Sequence, residues 1–399
     1  MTEIQLTGDE IRHLSEELGD ASTRCCVRRT TGTPTASHVT FDYLNKGAAN
    51  IIFKIQTWTP SSSATTFAFI DVMRQGKLSF KATKMDHQYL MRHVLRVPRG
   101  GQKHLSSMEI IHGYEHAIRP LFLPGRYKTL GKATTSRNGS DTPITVQVSR
   151  DLTKHLMDHE AVLLLPEVMS HLYTRAEKGT FTSTAPRACW GILLPNMSPT
   201  PGQSITLEIK PKWLAQSPNA PSGALRCRTC AMQVSVPKNR DSYICPLQVL
   251  HGDSKALRPW ANATVKRHFG SQAPSQTVVS AMVEGIVAYL TVGDGVELLR
   301  HLLQLQSTLD PRGILCRPQH GSELFDHNLR LAMTLRDCSL FIKISYNASG
   351  MTGIESKLGD LDFKSAEKIV DWTDKERQLL KAGAYTTPTG PPCWIQNGR

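Results

Sequence analysis

The apolar positions fall first at helical and then at strand spacing. Thr7 and Glu10 have the spacing of a capping box, and Ile11, Leu14 and Leu18 follow at helical intervals until Gly19 stops the pattern. This predicts a short first helix. Residues 25–37 read as a polar loop. Runs rich in β-branched and aromatic residues predict strands over 38–44, 51–58, 66–73 and 91–97. The turn 45–50, Asn-Lys-Gly-Ala-Ala-Asn, joins the first two. Ser106 and Glu109 form a second capping box, ahead of a helical stretch ending near Pro120. Residues 131–143 are a polar, glycine-bearing loop, and 152–171 are apolar and cross toward the second half. A strand is predicted over 204–209. Helical spacing runs over 278–305, with a break at Gly293 or Gly295. Then come a helix (327–336), strands (339–346 and 358–362) and a helix from Ser365, with Thr373 and Glu376 as a third capping box. The proline-rich tail 386–399 reads as frayed.

Composition narrows the class. At about 150 residues per domain, 399 residues make two or three domains or one bilobed unit. With 40% hydrophobic and 20% charged residues the chain buries a core, which excludes bulk disorder. Lysine and arginine number 47 against 34 acidic residues, giving +13 and a pI near 9.4. Such a charge points to a polyanion: nucleic acid, an acidic membrane surface or a phosphate-rich small molecule. No membrane span is expected, because the most apolar window, 278–290, is interrupted by Glu284. The first residues lack a basic stretch followed by an apolar one, so no secretory leader is read. Nine cysteines, an odd number, read as free thiols in a reducing compartment. An intracellular monomer, nuclear or cytoplasmic, is expected.

Several short segments carry candidate chemistry. The Gly47 turn is either a phosphate cradle of backbone N–H groups or a plain hairpin turn. Lys210 and Lys212 flank Pro211 at a strand end, where residues two apart share a side, so their ammonium groups are expected to project together. Asp360 and Asp362, with Lys364 and a helix start, suit a hard cation beside phosphate; capping of the helix by Asp362 or Ser365 is the plainer alternative. Asp337, at a helix-to-strand junction, is either a proton acceptor or a turn residue. Cys227 and Cys230 make one CxxC with no second CxxC to complete a metal site.

Taken in series, these segments resemble the inositol-pentakisphosphate 2-kinase family. Gly47-Ala48-Ala49-Asn50 is similar to its GEGAAN loop, with Asn45 and Lys46 in place of the first glycine and the glutamate. Val94-Leu95-Arg96 resembles its VLR strand, and Ile118-Arg119-Pro120-Leu121 the segment after its first-lobe helix. Glu208 to Lys212 match EIKPK. Cys227 to Gln233 resemble CRxCMHQ, and Tyr243 to Leu247 resemble YCPL. Arg336-Asp337-Cys338-Ser339 matches a KDCS-type motif, and 359–364 a DLDLK-type motif. The resemblance covers about residues 41 to 380.

The resemblance implies an α+β, bilobed kinase-like fold. Its smaller N-terminal lobe, residues 1–168, would carry an antiparallel sheet and helix. Its larger mixed C-terminal lobe, 169–399, would carry the inositol phosphate and Mg²⁺ sites. It implies ATP-dependent phosphorylation of the 2-hydroxyl of inositol 1,3,4,5,6-pentakisphosphate to the hexakisphosphate. Carried over by position, Gly47, Ala48, Asn50 and Arg96 would hold the ATP phosphates and Glu208 would lie near the nucleotide. Lys210 and Lys212 would grip substrate and transferring phosphates, and Asp337 would be the base. Asp360, with Asp362 beside it, would bind Mg²⁺. Lys364 and Lys368, four apart at a helix start, would bind substrate phosphates from one face. Some members carry a structural zinc; Cys316, His320 and His327 lack the CxxC half of that site, so no zinc is expected and chelation should not unfold the protein. Two rivals stand beside this reading: a non-enzymatic nucleic-acid-binding protein, which the charge allows but which lacks an aromatic-plus-basic stacking motif, and a kinase of another inositol phosphate.

Overall fold

A computed structural model describes residues 3–18, 23–30, 38–47, 49–60, 64–76, 79–99, 105–128, 144–176, 187–235, 243–270, 274–319 and 321–397. Gly19, Ala48, the 131–143 loop and His320 lie outside them. The chain forms two compact units, Met1–Gly113 with Met157–Asn196, and Tyr114–Leu156 with Met197–Arg399. It therefore crosses between units three times, where the sequence suggested one boundary at 168. The reason lies in the packing. Tyr114, Ile118, Leu121 and Phe122 are buried in the second unit's core, while the strand Cys189–Pro195 is hydrogen-bonded into the first unit's sheet.

The first unit is built on β1 (Glu3–Ile4), β2 (Thr23–Arg29), β3 (Val39–Lys46), β4 (Asn50–Thr57), β5 (Phe67–Gln75), β6 (Ser79–Lys84) and β7 (His93–Pro98). The strands predicted over 38–44, 51–58, 66–73 and 91–97 are β3, β4, β5 and β7 to within two residues. After β8 (Gly125–Lys128) and β9 (Thr145–Val148), a hairpin of the second unit, β10 (Glu160–Leu164) and β11 (Cys189–Pro195) complete the sheet. Seven strands close on themselves in the order β5-β2-β10-β11-β7-β4-β3, and Val39 of β3 pairs with Phe67 of β5 to shut the ring. All neighbours are antiparallel except β10 on β2. Phe41, Phe53, Phe67, Phe69 and Leu95 are wholly or almost wholly buried in this unit's core, with the Phe41 and Phe67 rings 5.1 Å apart. β2 lies where a polar loop was expected. Its consecutive Cys25, Cys26 and Val27 are all buried, so it shows no alternation to read.

Both N-terminal capping boxes form. The Glu10 carboxylate accepts from Thr7 N–H at 2.7 Å at the start of α1 (Gly8–Leu18). Glu109 does the same for Ser106, at 2.7 Å, before α3 (Ser107–Gly113), which follows the short α2 (His87–Met91). α4 (Pro166–Arg175) completes the unit.

The second unit packs α5 (Arg228–Ser235), α6 (Pro246–His251), α7 (Ser254–Phe269), α8 (Gln276–Thr291), α9 (Asp294–Leu309) and α10 (Glu323–Asp337) with an antiparallel sheet, β12 (Ser204–Ile209), β13 (Ser339–Asn347) and β14 (Gly350–Gly359), in that order. α11 (Lys368–Lys381) and α12 (Trp394–Asn397) follow. The stretch Gln276–Cys316 is apolar and long enough to cross a membrane by composition. It is broken between α8 and α9, however, and Met282, Ile286, Leu298, Leu299 and Leu302 of these helices are buried in this unit's core. The expected box at Thr373 and Glu376 lies inside α11 instead. Fully buried Glu376 accepts from Arg228 Nε at 3.1 Å, Ser217 Oγ at 2.8 Å and Tyr385 OH at 2.5 Å.

A second buried pair joins Arg336 Nη1 to Asp310 Oδ2 at 2.6 Å, both side chains at most 3% exposed. Asp310→Ala strands the Arg336 charge and is expected to destabilise this unit by about 3–5 kcal/mol. Asp310→Leu with Arg336→Met should recover most of that loss. Urea unfolding followed by tryptophan fluorescence checks both; an unchanged midpoint in Asp310→Ala would mean the pair contributes nothing.

Candidate functional site

The second unit's sheet delivers its chemistry at one end. β12 ends at Ile209, β13 begins at Ser339 and β14 ends at Gly359, with Ser339 paired to Gly359 and Ile209 to Leu340. Four polar residues therefore meet. Ser339 Oγ donates within 2.7 Å of Glu208 Oε1 and lies 2.9 Å from Asp360 Oδ2. Lys210 Nζ lies 2.7 Å from Ser339 Oγ, 3.1 Å from Glu208 and 3.2 Å from Asp360. Burial pulls the Lys210 ammonium down, but Asp360 and Glu208 outweigh it and raise its pKa. It stays charged at neutral pH.

Lys212 does not accompany Lys210. It takes a left-handed backbone, φ 52°, and sends its ammonium to Asp337 Oδ1 at 2.9 Å. Buried Gln306 holds this turn, donating to Lys212 O at 2.9 Å and accepting from Leu214 N–H at 3.0 Å. The expected parallel lysine pair is thus corrected: a positive φ redirects the second ammonium, and each lysine has its own carboxylate. Asp360 is the other non-glycine residue at positive φ, 55°. Two such residues in one cluster are backbone strain held by surrounding contacts.

Asp337 closes α10. Cys338 is buried, with Sγ 3.1 Å from Leu335 O; of its neighbours Ser339 is buried and Asp337 is 52% exposed. Lys364 Nζ reaches Asp337 Oδ2 at 2.8 Å, opposite Lys212. Lys364 is fixed from α10, since its N–H donates to Thr334 Oγ1 at 3.2 Å and its carbonyl accepts from Arg330 Nε at 2.6 Å. Burial would push the Asp337 carboxyl up. Lys364 and then Lys212 overcome this and hold it at about 2. Lys364 precedes α11 while exposed Lys368 opens it, so the two do not share a helix face as expected. Asp362 lies in the irregular segment between Asp360 and Lys364. A cleft of about 450 Å³ adjoins Glu208, Lys210 and Lys212, and is lined also by Thr229, Gln233 and Tyr243.

In the first unit the β3–β4 turn closes with Gly47 N–H on Asn50 O at 2.8 Å. Arg99 braces it: Nη1 donates to Gly47 O at 3.2 Å and the backbone N–H to Ala49 O at 2.9 Å. With its amide oxygen turned to the guanidinium, Asn50 accepts from buried Arg96 at 3.2 Å (Nε) and 2.6 Å (Nη2). Gly47, Asn50 and Arg96 are thus one hydrogen-bonded group.

A family model described as inositol-pentakisphosphate 2-kinase matches residues 43–378. The chain belongs to this family. An inositol-pentakisphosphate 2-kinase of Yarrowia lipolytica is 28% identical over a 240-residue alignment, covering 52% of this chain and 68% of the relative. The protein is accordingly an enzyme, a transferase of the inositol phosphate kinases, with ATP as substrate. The match begins inside β3 and ends inside α11, so it includes the contacts of Glu208, Lys210, Lys212, Asp337, Ser339, Asp360 and Lys364 given above.

Two residues were given no role in the sequence reading, Ser339 although it stands in the KDCS-type motif, and Arg99. Ser339 joins Lys210, Glu208 and Asp360, and its signal was its place two residues after Asp337 in an extended start. Arg99 carried no signal, because its role is set by the turn it braces.

Lys364→Ala removes the stronger of the two cations facing Asp337. The carboxyl should then titrate higher, toward the unperturbed value of about 3.9. Because its folded pKa is depressed, the stabilisation it carries exists above the unfolded pKa and is lost as pH falls through about 2. Carbon-13 NMR of aspartate-labelled protein reads the shift, and an unmoved resonance would remove Lys364 from the clamp.

Proposed function

We propose that this kinase transfers the γ-phosphoryl group of ATP to the 2-hydroxyl of inositol 1,3,4,5,6-pentakisphosphate, giving inositol hexakisphosphate and ADP. One observation carries the reading: a single carboxylate, Asp337, held between two ammonium groups at 2.9 and 2.8 Å. A hydroxyl acceptor on a ring crowded with phosphates needs an oxygen that orients the hydroxyl, with cations beside it for the neighbouring phosphates.

The chemistry follows from charge. Phosphoryl transfer is largely positioning and neutralisation of oxygens. Substrate phosphates compete for Lys212 and Lys364. As these turn to phosphate, Asp337 loses the fields that depress it and becomes a better acceptor for the hydroxyl proton. The hydroxyl oxygen bonds to the γ-phosphorus, the bond to the ADP oxygen breaks, and the proton passes to Asp337. Lys210 faces the transferring group and Lys368 a substrate phosphate. Gly47, Ala48, Asn50 and Arg96 belong to the nucleotide phosphates in this reading, and Glu208 to the nucleotide side.

Asp360, with Asp362 as its partner, would hold Mg²⁺. The donor set fits such an ion, because Asp360 and Glu208 already gather a cationic nitrogen within 3.2 Å. When bound, Mg²⁺ would neutralise phosphate oxygens. The bilobed, kinase-like arrangement, with nucleotide contacts from one unit and inositol contacts from the other, is part of the proposal.

Incubation with ATP, Mg²⁺ and a panel of inositol phosphates, with chromatography of the products, tests it. The pentakisphosphate with a free 2-hydroxyl should be converted to the hexakisphosphate, and Asp337→Asn should lower kcat by about 10²–10⁴-fold with the fold intact. Conversion only of a different inositol phosphate would overturn the substrate. Near-wild-type kcat in Asp337→Asn would overturn the role of Asp337.

A further inference from the structure

We propose that Gln306 of α9 is a positioning residue for phosphoryl transfer: by bonding to backbone groups on both sides of the Lys212–Asp337 ion pair, it sets where the Lys212 ammonium meets Asp337. This role rests on the reading above of Asp337 as the base and Lys212 as a phosphate ligand. Gln306 Nε2 donates to Lys212 O at 2.9 Å and to Leu335 O at 3.4 Å, and its Oε1 accepts from Leu214 N–H at 3.0 Å. Both amide hydrogens and the amide oxygen are therefore in use.

The chemistry of the position asks for an amide. Gln306 is completely buried, on a helix whose Leu298, Leu299, Leu302, Leu305 and Leu309 all belong to the core. A polar side chain there costs free energy unless its atoms are bonded, and packing alone would be served by another leucine. Lys212 supplies the need. Its φ of 52° is a left-handed conformation that residues with a Cβ avoid, and it persists only where surrounding contacts over-determine it. In extended backbone Lys212 would share a side with Lys210. The left-handed turn sends its ammonium to Asp337 instead. Gln306 clasps that turn from within, at the carbonyl before Trp213 and the N–H after it.

The same amide reaches the carboxylate's side of the pair. Leu335 O is among the last four carbonyls of α10, which have no partner within their own helix. Gln306 and Cys338 Sγ supply partners for it, and Asp337 is the last residue of that helix. At the residue after α9, Asp310 N–H donates to Gln306 O at 3.3 Å while its carboxylate takes Arg336 Nη1 at 2.6 Å. The end of α9 thus holds the Lys212 turn, the carbonyl two residues before Asp337 and the arginine next to it. Lysine and carboxylate are placed from one element, so Lys212 is offered to a phosphate and Asp337 to a hydroxyl at a fixed separation. A misplacement of about 1 Å in such a pair costs about 10²-fold in rate.

Gln306→Leu keeps the bulk and removes these bonds, which should release Lys212 from its turn and leave Asp337 with Lys364 alone. By carbon-13 NMR of the full-length protein, the Asp337 carboxyl should rise from about 2 to about 3. For whichever inositol phosphate the wild-type enzyme converts, kcat/KM should fall by about 10²-fold. Gln306→Glu is the rescue. At the acid pH where Asp337 titrates, the introduced carboxyl is protonated, so it can donate to Lys212 O and accept from Leu214 N–H, and Asp337 should titrate near 2 again. Ile286→Ala, which removes core packing from α8 of the same unit, should lower Tm and leave Asp337 near 2. Should Gln306→Leu not fold, Gln306→Asn, whose amide is one methylene short, takes its place in the same measurements. An unmoved Asp337 carboxyl, an equal rise in Ile286→Ala, or no restoration by Gln306→Glu would each overturn the positioning role. A raised Asp337 carboxyl with unchanged kcat/KM would instead overturn the catalytic reading of the ion pair, and with it any part for Gln306 in the reaction.

Discussion

The second unit depends on how one tryptophan is held. Trp213 is buried, with the Arg336 guanidinium carbon 3.6 Å from its ring centroid and that of Arg228 at 4.9 Å. Desolvated cation–π contacts are worth about 2 kcal/mol each. Each arginine has its own buried carboxylate, Asp310 or Glu376. Buried ion pairs of this kind contribute less to stability than to a unique arrangement. That uniqueness matters because each member is joined by a peptide bond, or nearly so, to a residue of the polar cluster or of the CxxC. Trp213 follows Lys212, Arg336 precedes Asp337, and Arg228 stands inside the CxxC. The stack therefore fixes the relative positions of a lysine, its carboxylate and the cysteine helix.

The polar cluster is arranged for exchange of partners. Every lysine drawn into it already faces a carboxylate, so the ligand-free protein does not store bare like charges. In the proposed reaction an incoming polyanion trades places with Asp337 or Asp360 rather than filling an empty cationic hole. The side chains are only half-buried, Asp337 at 52% exposed and Lys210 at 41%, so the exchange has access to solvent. The +13 net charge acts at longer range, drawing anions toward the surface before the local exchange begins.

Local signals were legible where local physics decides. Thr7 with Glu10 and Ser106 with Glu109 cap helices because both partners lie within one turn. The helical break near Gly293 is visible because Gly293 and Gly295 interrupt the apolar spacing. The same capping pattern at Thr373 and Glu376 misleads, since Arg228, far along the chain, claims the carboxylate. Motif order exposed Lys210, Asp337, Asp360 and Lys364, but not which lysine meets which aspartate. That pairing follows from a positive φ at Lys212, which lysine's chemistry does not announce. The gathering of the buried Cys227, Cys230, Cys245 and Cys393 sulfurs within 4.8 Å of one another was hidden by sequence distance: no spacing rule joins Cys393 to Cys227.

The threefold crossing of the chain between its units has a consequence for how the protein is made. Neither unit is a contiguous stretch, so a ribosome cannot finish one before starting the other. When Gly113 emerges, the barrel still lacks β10 and β11, and β2 and β7 present open edges. Those edges persist while Tyr114–Leu156 are synthesised, a segment whose Tyr114, Ile118, Leu121, Phe122, Val146 and Leu156 belong to a core not yet made. Closure waits for Pro195. The nascent chain thus passes through a stage with unpaired strands exposed, a stage at which strand pairing with a neighbouring chain competes with correct folding.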